Sequence, residues 1–187
     1  MKGLLIETKL FEAKVQEDEG GRTLVKGVLQ RAGAENQNGR VYPKPILERE
    51  AKKYETFIKE RRALGELDHP DSPVINLKNV SHNINSIWWD GDNIMGKIEI
   101  LPTPSGNILK SLIGSGIKVG VSSRGSGNVN EGDGKVSDFE IVTVDVVAQP
   151  SAPNAYPTAI YEGLMNMKGG SKVFEMAKEA SADQKVQ

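Results

Sequence analysis

The stretch SHNINSIWWDGDNIMGKIEI, residues 81–100, carries the clearest structural pattern in the chain. Polar and apolar residues alternate through Ile84, Ser86 and Trp88, which is the period of a half-buried β-strand. The residues DGDN at 90–93 predict a tight turn, and IMGKIEI continues as the partner strand. The segment therefore predicts an antiparallel β-hairpin.

Further β-prone runs lie on both sides of this hairpin. An opening pair of strands, LLIETKLFEA at 4–13 and RTLVKGVLQ at 22–30, precedes it. After it come IKVGVSSRG at 117–125, a strand running into a glycine loop, and FEIVTVDVVA at 139–148, a buried strand with one carboxylate. Many short strands with few helices predict a mainly β, α+β fold, either a curled, largely antiparallel sheet or a barrel, with helices packed around it.

Two segments have helical periodicity. A helix is predicted to begin at Pro45 and to end by Gly65, with one apolar face formed by Ile46, Leu47, Tyr54, Phe57 and Ile58. A short second helix is predicted within residues 101–116, with Ser105 as a plausible N-cap. The prolines in GELDHPDSP, residues 65–73, predict a loop there, and AENQNGRVYPKP at 34–45 also has the composition of a loop.

Composition and charge exclude several classes of protein. The 24 Lys+Arg against 25 Asp+Glu give a formal net charge of -1, so no global field attracts nucleic acid or a membrane surface, and we expect neither as a partner. No apolar run is long enough to span a bilayer, and the first residues lack a signal-peptide core, which predicts a soluble, non-secreted protein. With no cysteine, a nucleophile would be a hydroxyl, a carboxylate or a lysine.

The chain length indicates one domain and a tail. Residues 1–160 hold the patterned segments and are predicted to form the folded domain. Residues 161–187 are rich in Gly, Lys and Ala with few large apolar residues, which predicts a flexible C-terminal tail.

The two histidines differ in their surroundings. His82 lies in an alternating strand, where a histidine is more often a strand residue than a catalyst. His69 lies in the proline-containing loop between Asp68 and Asp71, and catalytic residues concentrate on such loops. The alternative is that DHPDSP is only a turn whose aspartates cap the backbone, and spacing alone favours that alternative.

The sequence GVSSRG, residues 120–125, is a second candidate loop. Ser122 or Ser123 could be a nucleophile activated by a histidine, with backbone N–H groups at Gly120 and Gly125 and the charge of Arg124 near a developing oxyanion. The serines could equally satisfy loop amides.

Asp145 is the candidate that would orient the histidine. A carboxylate within an apolar strand is costly unless it is paired, so a catalytic partner would explain its presence. A buried aspartate bonded to backbone amides is the structural alternative.

Several ordered motifs resemble the prohead core proteases of T4-like tailed bacteriophages. They are LLIET near the start, NGRVYPKPILE at 38–48, ALGELDHP at 63–70, IWWDGDNIMGK at 87–97, GVSSRG at 120–125 and VDVVAQPSAPNAY at 144–156. They occur in order over roughly residues 3–157, which is nearly the whole predicted domain.

The resemblance implies a serine endopeptidase with a fold similar to the herpesvirus assembly proteases, a closed or nearly closed antiparallel β-barrel surrounded by a few helices. On the matching motifs, Ser122 would be the nucleophile, His69 the base and Asp145 the third member, with no metal and no cofactor. Ser123, Arg124, Gly120 and Arg40 would be the candidates for substrate or oxyanion contacts.

The resemblance also implies a substrate class and a location. The enzyme would act inside the procapsid, assembled in the host cytoplasm, on scaffold or core proteins and the major capsid protein, and could self-associate. It would cleave after glutamate with an aliphatic residue two positions before, and could process itself, with sites ending at Glu7, Glu12, Glu48 and Glu175.

Two rival functions stay open. One is a catalytically silent scaffold-binding or structural module of the procapsid on the same fold. The other is a metal hydrolase that uses His69, His82, Asp68 and Asp71, although these residues are irregularly spaced and no HExxH pattern exists.

Overall fold

The computed structural model describes residues 2–11, 14–18, 20–68 and 70–148. Within these ranges the chain forms eight β-strands, two α-helices and one short 3₁₀ helix. In chain order they are β1 Gly3–Phe11, β2 Lys14–Glu17, β3 Thr23–Arg31, α1 Lys44–Lys59, β4 Leu64–Glu66, the 3₁₀ helix Leu77–Asn79, β5 Val80–Asp90, β6 Asn93–Ile100, α2 Pro104–Gly114, β7 Val119–Val129 and β8 Val136–Ala148.

The strands form two antiparallel sheets. One has the order β1-β7-β8 and the other β2-β3-β6-β5-β4. A parallel bridge between Leu67 and Val146 links the end of β4 to β8. The predicted mainly β fold with helices is confirmed. Within the described residues no sheet closes into a barrel, so the predicted barrel is not confirmed.

Among the described residues, two side-chain amides bind the edge of β1 that faces away from β7. The amide nitrogen of Gln37 donates to the carbonyl of Thr8 at 2.7 Å, and that of Asn38 donates to the carbonyl of Ile6 at 3.2 Å. These amides occupy carbonyl groups that a neighbouring strand would otherwise pair with.

The predicted hairpin is confirmed as β5 and β6. Asp90 lies opposite Asn93, so two residues form the loop, and Gly91 has a φ of 59°. A two-residue hairpin loop needs such a positive φ, which glycine adopts without a steric penalty.

The two opening strands are confirmed as β1 and β3, and they lie in different sheets: β1 pairs with β7, whereas β3 pairs with β2 and β6. One other strand prediction needs correction. The predicted glycine loop after the serines is wrong, because β7 continues as strand to Val129. This position of the strand requires glycine, because a Cβ on Gly125 would lie 2.5 Å from the ring of Phe139.

Both helices begin close to the predicted positions, but α1 ends earlier than predicted. In α1, Leu47, Ala51 and Tyr54 are buried, and the helix ends at Lys59, well before Gly65. The predicted N-cap of α2 is wrong by two residues: Oγ1 of Thr103 accepts from the Gly106 amide at 2.9 Å.

Strand β4 lies very close to both β5 and β8 at Gly65. The prediction of a loop over 65–73 is wrong at its start, because Gly65 pairs with His82 of β5 as part of β4. A Cβ on Gly65 would overlap the His82 ring and lie 2.5 Å from the carbonyl oxygen of Val144 in β8. Only glycine lets β4 lie this close to both neighbours.

The predicted tail, residues 161–187, lies outside the described residues, as does the last part of the predicted domain 1–160. Among the helices that the structure describes, none combines the length and the apolar character needed to cross a membrane.

We expect Gly65→Ala to lower the free energy of unfolding by about 1–3 kcal/mol, because the added methyl group forces apart the packed strands. Urea denaturation measures this. Gly114→Ala is the control, since a methyl group at Gly114 would meet no heavy atom within 4 Å outside its own helix turn. Equal urea midpoints for Gly65→Ala and Gly114→Ala would contradict this prediction, because they would show that β4 moves away from β5 and β8 with no loss of stability.

Candidate active site

The two serines of GVSSRG lie on the central strand of the three-stranded sheet. Ser122 of β7 lies opposite Thr8 of β1 on one side and opposite Asp145 of β8 on the other. Residues directly opposite in an antiparallel pair have Cβ atoms roughly 4.5–5.5 Å apart and share a face. Ser122 and Asp145 are therefore neighbours on one face, whereas Ser123 points to the opposite face.

Ser122 is enclosed. Its residue exposure is 0%, and the hydroxyl of Thr8 donates to its Oγ at 3.3 Å. A substrate carbonyl reaches this oxygen only after the groups that cover it move aside.

Next to Ser122 lies a buried cluster of three charged side chains. Arg124 donates from Nε to Oδ2 of Asp145 at 3.0 Å and from Nη2 to Oδ1 at 3.1 Å, a bidentate pair. Nη2 also donates to Oε2 of Glu66 at 2.9 Å. All three side chains have 0% exposure.

The charges of this cluster do not balance. One guanidinium faces two carboxyl groups, and Oε1 of Glu66 has no hydrogen-bond partner among the described residues. Burial raises the pKa of Asp145 to about 6, although the charge of Arg124 and the hydrogen bond from the Glu66 amide oppose the shift.

The cluster reaches the chain on both sides of position 69. Before it, the Glu66 amide donates to Oδ1 of Asp145 at 3.0 Å, and the Asp68 amide donates to the Val146 carbonyl at 2.7 Å. After it, Nη1 of Arg124 donates to the carbonyls of Ser72 at 2.8 Å and Val74 at 3.3 Å. His69 itself lies outside the described residues, so its catalytic role stays a prediction.

The face of Ser123 has different surroundings. Ser123 lines a cleft of about 330 Å³ together with Glu7, Gln30 and Tyr42, among others. Arg40 pairs there with Glu7, whose pKa burial raises against the opposing charge of Arg40. Arg40 therefore lies on the Ser123 side of β7, and Gly120 lies within the strand opposite Leu10 and Val147.

His82 is a strand residue, as predicted, but it is fully buried. Its Nε2 lies 2.8 Å from the carbonyl oxygen of Val144, which can only accept, so Nε2 carries the proton. Nδ1 then accepts from the hydroxyl of Ser81 at 2.7 Å. Burial lowers the pKa of His82 to about 4, against the opposing hydrogen bond to Val144, and the ring is held neutral.

This arrangement argues against the metal-hydrolase alternative. Both ring nitrogens of His82 are engaged by protein groups, so neither has a lone pair for a metal ion. In the described ranges, no group of three His, Asp or Glu side chains has metal-binding geometry.

Sequence reasoning did not single out Glu66 or Thr8. Glu66 lies within the motif GELDHP, but nothing in its spacing distinguishes a buried carboxylate from a solvated one. Thr8 becomes a neighbour of Ser122 only through the register of β1 against β7.

Comparison with known proteins identifies the family of this chain. A family model described as the prohead core protein serine proteases matches residues 2–163. The chain belongs to this family. It is 36% identical to the prohead core protein protease of Enterobacteria phage T4 over 142 residues, which cover 72% of this chain and 67% of that protein. The solved structure of the bacteriophage T4 capsid assembly protease matches with a TM-score of 0.75 and 30% identity, over 80% of this chain and 99% of that one.

We expect the His82 ring to remain neutral in the folded protein from pH 8 down to about pH 5. The pKa of His82 in the folded protein, about 4, lies below the ordinary value of 6.5. Between pH 4 and pH 6.5 the unfolded chain therefore binds more protons than the folded one. The stability that neutral His82 contributes is fully present above pH 6.5 and is lost as the pH falls from 6.5 to 4. NMR titration of the ring Cε1–H signals measures this, and His69→Gln assigns the remaining signal. A midpoint near 6.5 for His82 would contradict its burial.

Proposed function

We propose that this chain is a phage prohead maturation serine endopeptidase in which Ser122 is the nucleophile, His69 the general base and Asp145 the group that orients His69. The observation that carries the proposal is the position of Ser122. It lies opposite Asp145, and the backbone on both sides of residue 69 is hydrogen-bonded to the same cluster. Membership of the prohead protease family supports the same assignment.

The reaction would follow the general scheme for serine hydrolases. His69 takes the proton of Ser122 as Oγ attacks the scissile carbonyl, and then gives that proton to the leaving amine as the C–N bond breaks. Water, deprotonated by His69, attacks the acyl-enzyme, and Ser122 recovers its proton as the product acid leaves.

Asp145 has the acceptor capacity that this role needs. An ionised carboxylate offers about four lone-pair positions, and the described contacts use three: two on Oδ1 and one on Oδ2. The pKa of about 6 leaves Asp145 mainly ionised at neutral pH. The remaining acceptor position on Oδ2 would take the N–H of the His69 ring.

The oxyanion would be stabilised by backbone N–H groups near Ser122, with Gly120 and Ser123 as candidates. Both residues lie in β7 between β1 and β8, so their N–H groups would first have to leave this strand pairing. Arg124 would act through its charge alone, because its five N–H groups are engaged in the present arrangement.

Cleavage after glutamate would need a cation in the specificity pocket. Arg124 and Arg40 already pair with carboxylates of the protein. Lys118 is exposed just before β7 and pairs with no carboxylate among the described residues, so it is the best of the three candidates.

Scaffold or core proteins and the major capsid protein would be the substrates, and the reaction would take place within the procapsid in the host cytoplasm. The names of the T4 relatives, a prohead core protein protease and a capsid assembly protease, support this class of substrate. Self-association inside the procapsid is part of the same proposal.

One observation favours a second candidate function. Ser122 is fully buried, as it would be in a silent structural or scaffold-binding module of the procapsid. Such a module would cleave nothing under any condition, whereas a protease with a covered nucleophile becomes active when its substrate or assembly exposes Ser122.

We expect Ser122→Ala and His69→Ala each to lower the rate of scaffold-protein cleavage by roughly four to six orders of magnitude, because the two groups act as a unit. Mass spectrometry of purified scaffold protein incubated with each variant measures this. Ser123→Ala is the matched control and should keep most of the activity, since Ser123 faces the opposite side of β7. An inactive Ser123→Ala with an active Ser122→Ala would move the nucleophile by one position.

We also expect the active enzyme to remove residues 176–187 from its own C-terminus by cleavage after Glu175. Of the other candidate positions, Glu7 lies within β1 and Glu48 within α1, where backbone hydrogen bonds protect the chain from a protease. Glu12 and Glu175 lie outside the described residues. Intact-mass analysis of the wild type against Ser122→Ala decides the matter: a tail kept during vigorous scaffold cleavage, or lost equally from both proteins, rules the idea out.

A further inference from the structure

We propose that Arg124 is a positioning residue that holds the segment before and after residue 69 against the strand carrying Ser122, with Glu66 and Asp145 as the anchors of its guanidinium. The proposal rests on the proposed function, in which His69 serves Ser122. It adds Glu66 to the residues on which the reaction depends, and it gives Arg124 a positioning role beyond the effect of its charge.

The distribution of the Arg124 hydrogen bonds supports this role. Its Nε and Nη2 bind Asp145 on β8, the strand next to β7. Nη2 also binds the carboxylate of Glu66, three residues before position 69. Nη1 binds the carbonyl oxygens of Ser72 and Val74, three and five residues after it. One rigid group thus joins three parts of the chain.

The segment after position 69 depends on this side chain for its attachment. Residues 71–79 are mostly exposed, and Val74 retains 69% of its accessible surface. In the described part of the chain, the hydrogen bonds that join residues 70–75 to a β-strand both come from Nη1 of Arg124. An exposed segment with little apolar burial opens locally at small cost unless such contacts restrain it.

Only arginine can make this set of contacts. Its planar guanidinium presents five N–H groups in fixed directions, and all five are used here. A lysine ammonium offers three donors from a single atom, so it keeps the charge but cannot reach two carboxylates and two carbonyls together. Arg124→Lys therefore separates geometry from charge.

We expect Arg124→Lys to lower kcat for an internally quenched peptide containing an aliphatic-X-Glu sequence by about 100-fold, with KM little changed. A misplaced base slows the chemical step, whereas substrate contacts elsewhere are kept. Arg49→Lys is the control, because Arg49 likewise binds a buried carboxylate, that of Glu50, and a backbone carbonyl, that of Phe139, but lies far from β7 in the chain. The control should keep the wild-type kcat.

A second measurement separates positioning from a general loss of stability. Hydrogen–deuterium exchange should become faster in peptides covering residues 67–79 of Arg124→Lys, while peptides from β3 and β6 exchange as in the wild type. A purely structural role would instead speed exchange throughout both sheets, and that result would overturn the proposal.

Glu66→Gln covers the case in which Arg124→Lys does not fold. Glutamine keeps the size and one acceptor oxygen of Glu66 but removes the charge that holds Nη2. We expect a smaller fall in kcat than in Arg124→Lys and faster exchange in the same peptides. Wild-type kcat and exchange in a folded Glu66→Gln would overturn the proposal.

The outcomes for the two proposals differ. If Ser122→Ala cleaves the peptide as fast as the wild type, the proposed function fails. If Ser122→Ala is inactive while a folded Arg124→Lys keeps the wild-type kcat, the proposed function stands and the role of Arg124 as a positioning residue is wrong.

Discussion

The burial of the Arg124 guanidinium is the constraint around which the rest of the site is arranged. A charge without contact with water is costly unless it is paired and fully hydrogen-bonded, and removal of one partner of such a pair is strongly destabilising. Arg124 meets this requirement with groups from β8, from β4 and from the exposed segment after position 69. The need to satisfy one side chain therefore joins β8 to the chain on both sides of position 69.

The same contacts join the two sheets beside a short backbone connection. Leu67 and Val146 form the parallel bridge between the end of β4 and β8, and β4 itself has only three residues. Gly65 lets β4 approach closely enough, since any side chain there would overlap the ring of His82. The neutral, buried His82 is thus a packing and hydrogen-bonding element of this junction, which explains why a histidine in the chain takes no part in the proposed chemistry.

The alternation of β7 gives two adjacent serines different surroundings. Ser122 faces Asp145 and the charged cluster, while Ser123 faces the cleft that Glu7 and Gln30 line. Because successive side chains of a strand point to opposite faces, a shift of one residue in register would exchange these surroundings. The pairing of β7 with both β1 and β8 fixes which serine lies beside the carboxylate.

The sequence by itself determined the mainly β class, the β5–β6 hairpin, the position of α1 and the motifs that indicate the family. These depend on local periodicity, turn residues and short-range patterns, all of which are visible along the chain. Local patterns also placed Asp145 on a strand and Ser122 where a strand runs into a loop, but they did not show that β7 continues through Gly125.

Only the tertiary structure decided which strands pair outside the β5–β6 hairpin, that β1 and β3 belong to different sheets, and that Ser122 lies opposite Asp145. It also decided that the donors of Arg124 are taken up by Asp145, Glu66 and two carbonyls. The sequence places Glu66 and Arg124 far apart, and no local pattern distinguishes a buried ion pair from two solvated side chains. Contacts between distant residues depend on strand register and on the packing of one sheet against the other, and these are settled only when the whole chain folds.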